Sequence, residues 1–167
     1  GAQNQTINVL CDTSGTYAPE RWTNDVVIEN NTIQASGKSY LGGNGPASVF
    51  VGHTPAEGIE TDGDPNRNID IVGNSFEGVG YRVGELRDAA NITVEQNDAT
   101  GVNELNYPDG REAFFLGNVD GAVFTGNTVA GVSEYLDSFG RRDDTDGLEL
   151  TSNSFRLDGE SRSISFK

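Results

Sequence analysis

The sequence predicts an all-β solenoid of about six coils, each built from three short strands. A phrase of alternating apolar residues that ends in an asparagine occurs five times along the chain. The five asparagines are separated by 43, 23, 30 and 26 residues, which is near the low-twenties period of stacked repeat units. The alternation has the period of a strand with one buried face, and helical spacing is absent. The five asparagines are Asn31, Asn74, Asn97, Asn127 and Asn153.

The apolar alternation before each asparagine predicts the middle strand of each coil. Ile69 and Ile71 show it in the phrase NIDIVGNSF, and later phrases repeat it with Ile92 and Val94 and with Leu148 and Leu150. Residues two apart on a strand point to the same side, so these pairs are expected to face the core.

Two further short strands are predicted in every coil. One precedes the phrase, and a third follows the asparagine as SF, TV or TI. The preceding strands form a predicted first sheet from residues 7–10, 58–61, 81–84, 113–116 and 164–166.

The repeated phrases resemble the repeats of right-handed parallel β-helix proteins of the pectate-lyase-like superfamily, over residues 7–166. The resemblance implies a right-handed parallel β-helix of three short sheets. It also implies that the asparagines lie in the turn between the second and third sheets, tolerate a left-handed backbone and bond to their copies one coil away. Asn103 lies outside the phrase and is expected at the surface. Lyases, hydrolases, epimerases, phage spikes and adhesins share this fold, so it indicates little about activity.

Length and composition limit the organisation and the partners. The 167 residues fit one domain, residues 1–167, and the early start of the repeat suggests a segment of a longer β-helix protein. A net charge of −15 argues against nucleic acid and anionic membrane surfaces as partners. No apolar run approaches the roughly 20 residues of a membrane helix. As a protein partner we expect a second copy of the chain, in end-to-end or homo-oligomeric packing.

The acidic residues also bear on the environment of the protein. They are scattered through the repeats, and nine arginines accompany only two lysines, a pattern typical of proteins from salt-loving organisms. An ordinary acidic extracellular protein is the alternative. The first ten residues lack the features of a signal peptide, so an export signal was removed or lay outside this chain. We expect an extracellular or cell-surface location.

The resemblance implies that the first sheet floors a sugar-binding groove. Alternation within residues 58–61 and 81–84 predicts that Glu60 and Arg82 point outward from neighbouring strands, about 4.8 Å apart. Asn8 would lie on one side of them and Phe114 or Phe115 on the other. Glu60 and Arg82 are therefore predicted to bind substrate, with Phe114 beside them. An ion pair that only stabilises the sheet surface is the alternative.

Two insertions are expected to build the groove walls. Residues 34–57 contain Lys38, Tyr40 and His53, and residues 99–112 contain Tyr107 and Arg111, which are further substrate-binding candidates. The first insertion has a second interpretation as an extra irregular coil, with residues 48–51 as its strand and His53 in a turn.

Two acidic segments are candidate cation sites. In ETDGDPNRN, residues 60–68, Glu60, Asp62 and Asp64 supply the hard oxygen ligands that Ca²⁺ prefers. A polar turn without metal is the alternative. Residues 141–147, RRDDTDG, form a second acidic loop for a cation or substrate, or a solvated turn.

Three functions remain open from the sequence. A polysaccharide lyase would use Arg82 to neutralise a uronate carboxylate and His53, Lys38 or Tyr40 as the base, although no lyase signature is matched. A glycoside hydrolase is weaker, because the motifs expected beside a paired aspartate are absent. A non-catalytic rod of an adhesin, cell-surface protein or virus spike is the third. We expect polysaccharide recognition on the first sheet, with lyase activity as the leading enzymatic hypothesis.

Overall fold

A computed structural model describes residues 7–12, 23–36, 47–54, 66–105 and 111–167. Throughout these ranges the regular structure is entirely β. The strands are β1 (Ile7–Asp12), β2 (Thr23–Glu29), β3 (Thr32–Gln34), β4 (Val49–Thr54), β5 (Asn66–Val72), β6 (Ser75–Glu77), β7 (Gly84–Glu95), β8 (Asp98–Val102), β9 (Glu112–Thr125), β10 (Thr128–Gly131), β11 (Ser138–Thr151), β12 (Ser154–Leu157) and β13 (Glu160–Ser161). Among the residues described, no helix is long and apolar enough to cross a membrane.

The strands form two mostly parallel sheets. The seven-stranded sheet has the order β1-β4-β7-β5-β2, with β9 beside β7 and β11 beside β9. The six-stranded sheet has the order β13-β12-β10-β8-β6-β3. The pairing of β12 with β13 is antiparallel, and the other strand pairings are parallel. Strands that recur in the same order and pair with their counterparts are consistent with the predicted β-solenoid.

Three long strands join the predicted first and second sheets. β7, β9 and β11 each continue through a bend, so hydrogen bonding links two predicted sheets into one. At this bend Asp88, Asn91 and Asn118 have left-handed backbones, with φ of 49°, 55° and 53°. Asn118 Nδ2 donates to Asp88 Oδ1 at 2.9 Å, and Asn91 Nδ2 donates to Asn68 Oδ1 at 3.2 Å. Short polar side chains therefore stabilise the bend from coil to coil.

The 43-residue spacing is one coil with long connections. β2 pairs directly with β5 and β3 pairs with β6, so no additional coil lies between them. Residues 49–51 of the predicted strand 48–51 do form a strand, as the start of β4, but β4 belongs to the first sheet, where it pairs with β1 and β7. The interpretation of residues 34–57 as an extra coil is therefore wrong, although the strand that it predicted is present. Residues 37–46 and 55–57 lie outside the described residues.

The predicted first-sheet neighbour of Arg82 is wrong. Ser48 N–H donates to the Arg82 carbonyl at 2.9 Å, and Val83 N–H donates to the Ala113 carbonyl at 2.8 Å. Ser48, which directly precedes β4, and Ala113 of β9 thus flank residues 82–83 on the two sides. Residues 58–61, which we expected there, lie outside the described residues.

The structure confirms the asparagine ladder. Each side-chain Nδ2 donates to the Oδ1 of the asparagine in the next coil, at 3.0, 3.0, 2.9 and 2.9 Å from Asn31 to Asn153. The same Oδ1 atoms accept the backbone N–H of the preceding asparagine at 3.0 Å. The left-handed backbone belongs instead to the residue before the asparagine, such as Asn30, Gln96 or Ser152. Asparagine is needed because one amide satisfies groups in two coils.

The core lies between the sheets and ends in packed aromatic rings. Phe114 contacts Phe124 and Phe139, with ring centroids 5.1 and 5.4 Å apart, and Phe166 lies 5.2 Å from Phe124.

The prediction that Asn103 lies at the surface is wrong. Asn103 is fully buried with φ of 59°, and its Nδ2 donates to the Tyr135 carbonyl.

Candidate functional site

The outer face of the first sheet carries the densest charge network among the described residues. The first sheet comprises β1, β4 and the N-terminal halves of β7, β9 and β11. Leu86 and Leu116 point into the core, so the residues on either side of them in the strands face outward. In register across the strands, Glu85 lies opposite Phe115 and Phe115 opposite Arg141. A second outward row contains Arg87, Gly117 and Asp143.

Three arginines surround the ring of Phe115, and we call Arg82, Arg87 and Arg141 the arginine cluster. Their guanidinium carbons lie 5.0, 4.3 and 5.2 Å from the ring centroid. Arg82 also lies 4.5 Å from the ring of Tyr81. Phe115 is only 2% exposed, so its ring supports the guanidinium groups and is not itself open to a ligand.

Acidic partners hold the arginine cluster in place. Glu85 is fully buried and accepts Arg82 Nη1 at 2.8 Å and Arg87 Nε at 2.7 Å. Glu112 accepts Arg82 Nη2 on the other side. Because buried charges require paired partners, these contacts fix both arginines on Phe115. The outermost contact joins Arg141 Nη2 to Asp143 Oδ2 at 2.9 Å.

Burial and pairing alter the ionisation of two members of this network. Burial raises the pKa of Glu112, and the nearby Arg82 and then Arg141 oppose this rise. The hydrogen bond to Asp143 raises the pKa of Arg141, so its guanidinium keeps its charge.

Exposure increases from one edge of the network to the other. The side chain of Arg82 is 6% exposed, whereas those of Arg87, Arg141 and Asp143 are 38%, 48% and 58% exposed. Arg87 Nη1 lies 3.4 Å from the position that a Cβ on Gly117 would occupy. The missing side chain therefore leaves room for the Arg87 guanidinium. Arg87 and Arg141 are the members of the cluster that a ligand can reach.

The structure gives different positions to the predicted first-sheet contacts. Arg82 is at the first sheet, but it is buried between Glu85 and Glu112 and does not form an open groove floor. Phe114 is 3% exposed and packs in the core, because Phe115 is the outward residue of this pair.

Arg111 has a structural role in the described region. Its Nη2 donates to the carbonyls of Ser133 and Glu134, both at 2.8 Å, and its own carbonyl accepts the N–H groups of Asp137 and Ser138. Arg111 therefore holds the turn between β10 and β11, where we had expected a substrate contact.

Of the other predicted site positions, the structure describes His53 and residues 141–147. His53 lies in β4, opposite Cys11, and so belongs to neither a loop nor a turn. Residues 141–147 are part of strand β11, so the prediction of an acidic loop there is wrong. No cluster of three or more His, Cys, Asp or Glu side chains suited to a metal ion occurs in the described part of the chain. Lys38, Tyr40, Glu60, Asp62, Asp64 and Tyr107 lie outside the described residues.

Sequence reasoning missed most of this network. Glu85 and Arg87 are two residues apart, as are Arg141 and Asp143, and this spacing puts each pair on one face of a strand. The charge alternation was a usable signal. It was missed because the predicted strand at residues 81–84 stops just before Glu85, and because residues 141–147 were interpreted as a loop.

No family model and no curated protein sequence matches the chain. Its structure is similar to the crystal structure of a protein from Parabacteroides merdae described as a "putative glycosyl hydrolase". The TM-score is 0.55 at 13% sequence identity, and the match covers 98% of this chain and 78% of that chain. At this identity the likeness shows a shared fold and carries no residue-by-residue assignment.

Proposed function

We propose that the chain is a right-handed parallel β-helix of the pectate-lyase-like type, formed by residues 1–167 as one domain. We propose also that the outer face of its first sheet binds a polysaccharide outside the cell. The parallel pairing of successive coils and the asparagine ladder support the fold. The similarity to a protein described as a glycosyl hydrolase supports a carbohydrate-related role.

The arginine cluster is the observation that carries the proposed binding. The protein has a net charge of −15, yet it concentrates three guanidinium groups on one outward aromatic ring. Buried Glu85 accepts hydrogen bonds from Arg82 and Arg87, so the positions of these two guanidinium groups are fixed before a ligand binds. Guanidinium groups donate paired hydrogen bonds to carboxylate and hydroxyl oxygens, which are the polar groups of polysaccharides.

The test compares two arginines on different faces of the protein. Arg141→Gln removes an accessible guanidinium of the cluster, and Arg156→Gln removes one exposed guanidinium from β12 in the other sheet. Binding to pectate, alginate and a neutral glucan is measured for both variants and for the wild type. We expect Arg141→Gln to weaken binding about tenfold or more, since hydrogen bonds to charged groups contribute about 1.5–3 kcal/mol. Arg156→Gln should bind as the wild type does.

Two results would contradict this proposal. Equal binding by both variants would place the binding surface elsewhere. Failure of the wild type to bind any of the three polymers would favour the alternative, a structural or adhesive rod.

The enzymatic form of the proposal is lyase-type elimination. An arginine would neutralise a uronate carboxylate while a base removes the neighbouring carbon-bound proton, with His53, Lys38 and Tyr40 as proposed bases. The electron pair of that C–H bond would form a C=C double bond as the glycosidic C–O bond breaks, and the departing oxygen would take up a proton. Glu60, Asp62 and Asp64 are the proposed ligands of a Ca²⁺ ion, which would supply positive charge beside the substrate. The binding assays are repeated with and without Ca²⁺ while the absorbance of unsaturated product is followed. Binding without product would establish a recognition module and reject the lyase.

A further inference from the structure

We propose that Asp143 is a built-in competitor for the ligand, and that the group it competes with is the carboxylate of an acidic sugar. This inference rests on the proposed polysaccharide binding at the arginine cluster. It adds the chemical class of the ligand and a residue that sets the affinity for it.

The geometry points to Asp143 because its carboxylate occupies the most accessible guanidinium of the cluster. Asp143 Oδ2 accepts Arg141 Nη2 at 2.9 Å, and the two side chains are 58% and 48% exposed. Both residues lie in β11, two positions apart on its outward face. The Asp143 carboxylate therefore shows which ligand group the Arg141 guanidinium accepts, namely another carboxylate.

The surroundings of Asp143 place a second positive charge near its carboxylate. Gly117 is its neighbour in register on β9 and has no side chain, and the Arg87 guanidinium lies over that glycine. On the adjacent outward row, Phe115 supports both Arg87 and Arg141, at 4.3 and 5.2 Å. A ligand carboxylate that replaces Asp143 at Arg141 therefore also lies close to the positive charge of Arg87. Among the described residues, the Asp143 carboxylate forms no hydrogen bond to Arg87.

The buried and exposed ion pairs of the network differ in how readily they exchange. Glu85 and Arg82 are buried, so separating them would leave an unpaired charge in the protein. Arg141 and Asp143 are both about half exposed, and water can solvate Asp143 when it swings away. The exchange therefore takes place at Arg141, while Glu85 and Glu112 keep the rest of the network in position.

The experiment removes the competing charge without changing the shape of the side chain. Asp143→Asn is compared with Glu160→Gln, which removes one negative charge from another exposed pair, Arg162 with Glu160, at the far end of the chain. The probes are a pentameric oligogalacturonate and cellopentaose, which is uncharged. Dissociation constants are measured by calorimetry for both variants and the wild type in 0.05 and 0.5 M salt.

We expect Asp143→Asn to bind oligogalacturonate about two- to fivefold more tightly than the wild type in dilute salt, the range for releasing one exposed ion pair. The gain should shrink in 0.5 M salt because screening weakens both contacts. Glu160→Gln should match the wild type, and cellopentaose should not distinguish the three proteins.

Each other outcome overturns the inference. If the wild type and Asp143→Asn bind oligogalacturonate equally, Asp143 is not a competitor, although polysaccharide binding stands. An equal gain for Glu160→Gln would assign the effect to net charge, and an equal gain for cellopentaose would reject the carboxylate as the group recognised. No binding of either probe by any of the proteins would reject the inference together with the proposed function.

Discussion

Replacing Asn97 by leucine should be among the most destabilising single changes in the asparagine ladder. Asn97 is 3% exposed, and its Oδ1 accepts both the backbone N–H and Nδ2 of Asn74 at 3.0 Å. Its Nδ2 donates to the Ile71 carbonyl at 2.8 Å and to Asn127 Oδ1 at 2.9 Å. Leucine has nearly the same shape and makes none of these four bonds.

The cost follows from the groups that lose their partners. The buried N–H of Asn74 loses the acceptor on Asn97, at about 1–3 kcal/mol, and each other lost bond costs about 1 kcal/mol. Part of this is offset by burial of the apolar leucine, so we expect a total of about 2–5 kcal/mol. That is a large fraction of the roughly 5–15 kcal/mol by which domains are stable.

Asn31 provides the matched control at the end of the same ladder. It makes the same bonds to the next asparagine, Asn74, but it is exposed, so water replaces what leucine removes. Asn31→Leu should therefore cost about 1 kcal/mol or less. Urea unfolding of both variants gives the free energies of unfolding, and similar values for the two would refute the argument that burial of the ladder produces its stability.

Three further changes test other parts of the structure. Arg111→Gln should lower the free energy of unfolding by about 1 kcal/mol, because the turn at Ser133 and Glu134 loses two charged hydrogen bonds, while polymer binding stays unchanged. Burial raises the pKa of Glu112 from its ordinary 4.5, so the folded state holds this proton more tightly than the unfolded chain. The stability that Glu112 contributes should fall as pH rises from 4.5 through the raised pKa of the folded state. Glu112→Gln should therefore become steadily more stable relative to the wild type across that pH window. The reverse trend in chemical unfolding would show that pairing with Arg82 outweighs burial. Melting temperatures should rise between 0.05 and 2 M salt, because screening relieves the repulsion of a net charge of −15, and a flat or falling series would contradict the halophilic interpretation.

The repeat made the middle strands and the ladder predictable. Ile69, Ile92 and Leu148 recur at fixed distances before the asparagines, so one alignment placed every middle strand in register. The first-sheet strands carried no comparable marker. Their sequences vary from coil to coil, and β4 lies between long connections that carry no repeat. Residues 58–61 were therefore predicted beside Arg82, in the position that β4 and the residue before it occupy.

The site was less predictable than the fold because its members come from three coils. Glu85, Phe115 and Arg141 are separated by 30 and 26 residues, and a shift of one residue in any strand moves its side chains to the other face. Such a shift exchanged Phe114 for Phe115 and sent the predicted contact into the core.

The amino-acid sequence by itself determined the strand period, the coil repeat and the ladder, since these depend on local alternation and on an amide that bonds to its own copy. Only the tertiary structure decided which charges meet. The register between coils decides which arginines lie on Phe115 and how exposed each side chain is. Arg82 is buried and held by Glu85 and Glu112, whereas Arg141 is about half exposed and can exchange its partner. Register and burial belong to the stacked coils as a whole, because desolvation depends on every neighbour that excludes water from a charge.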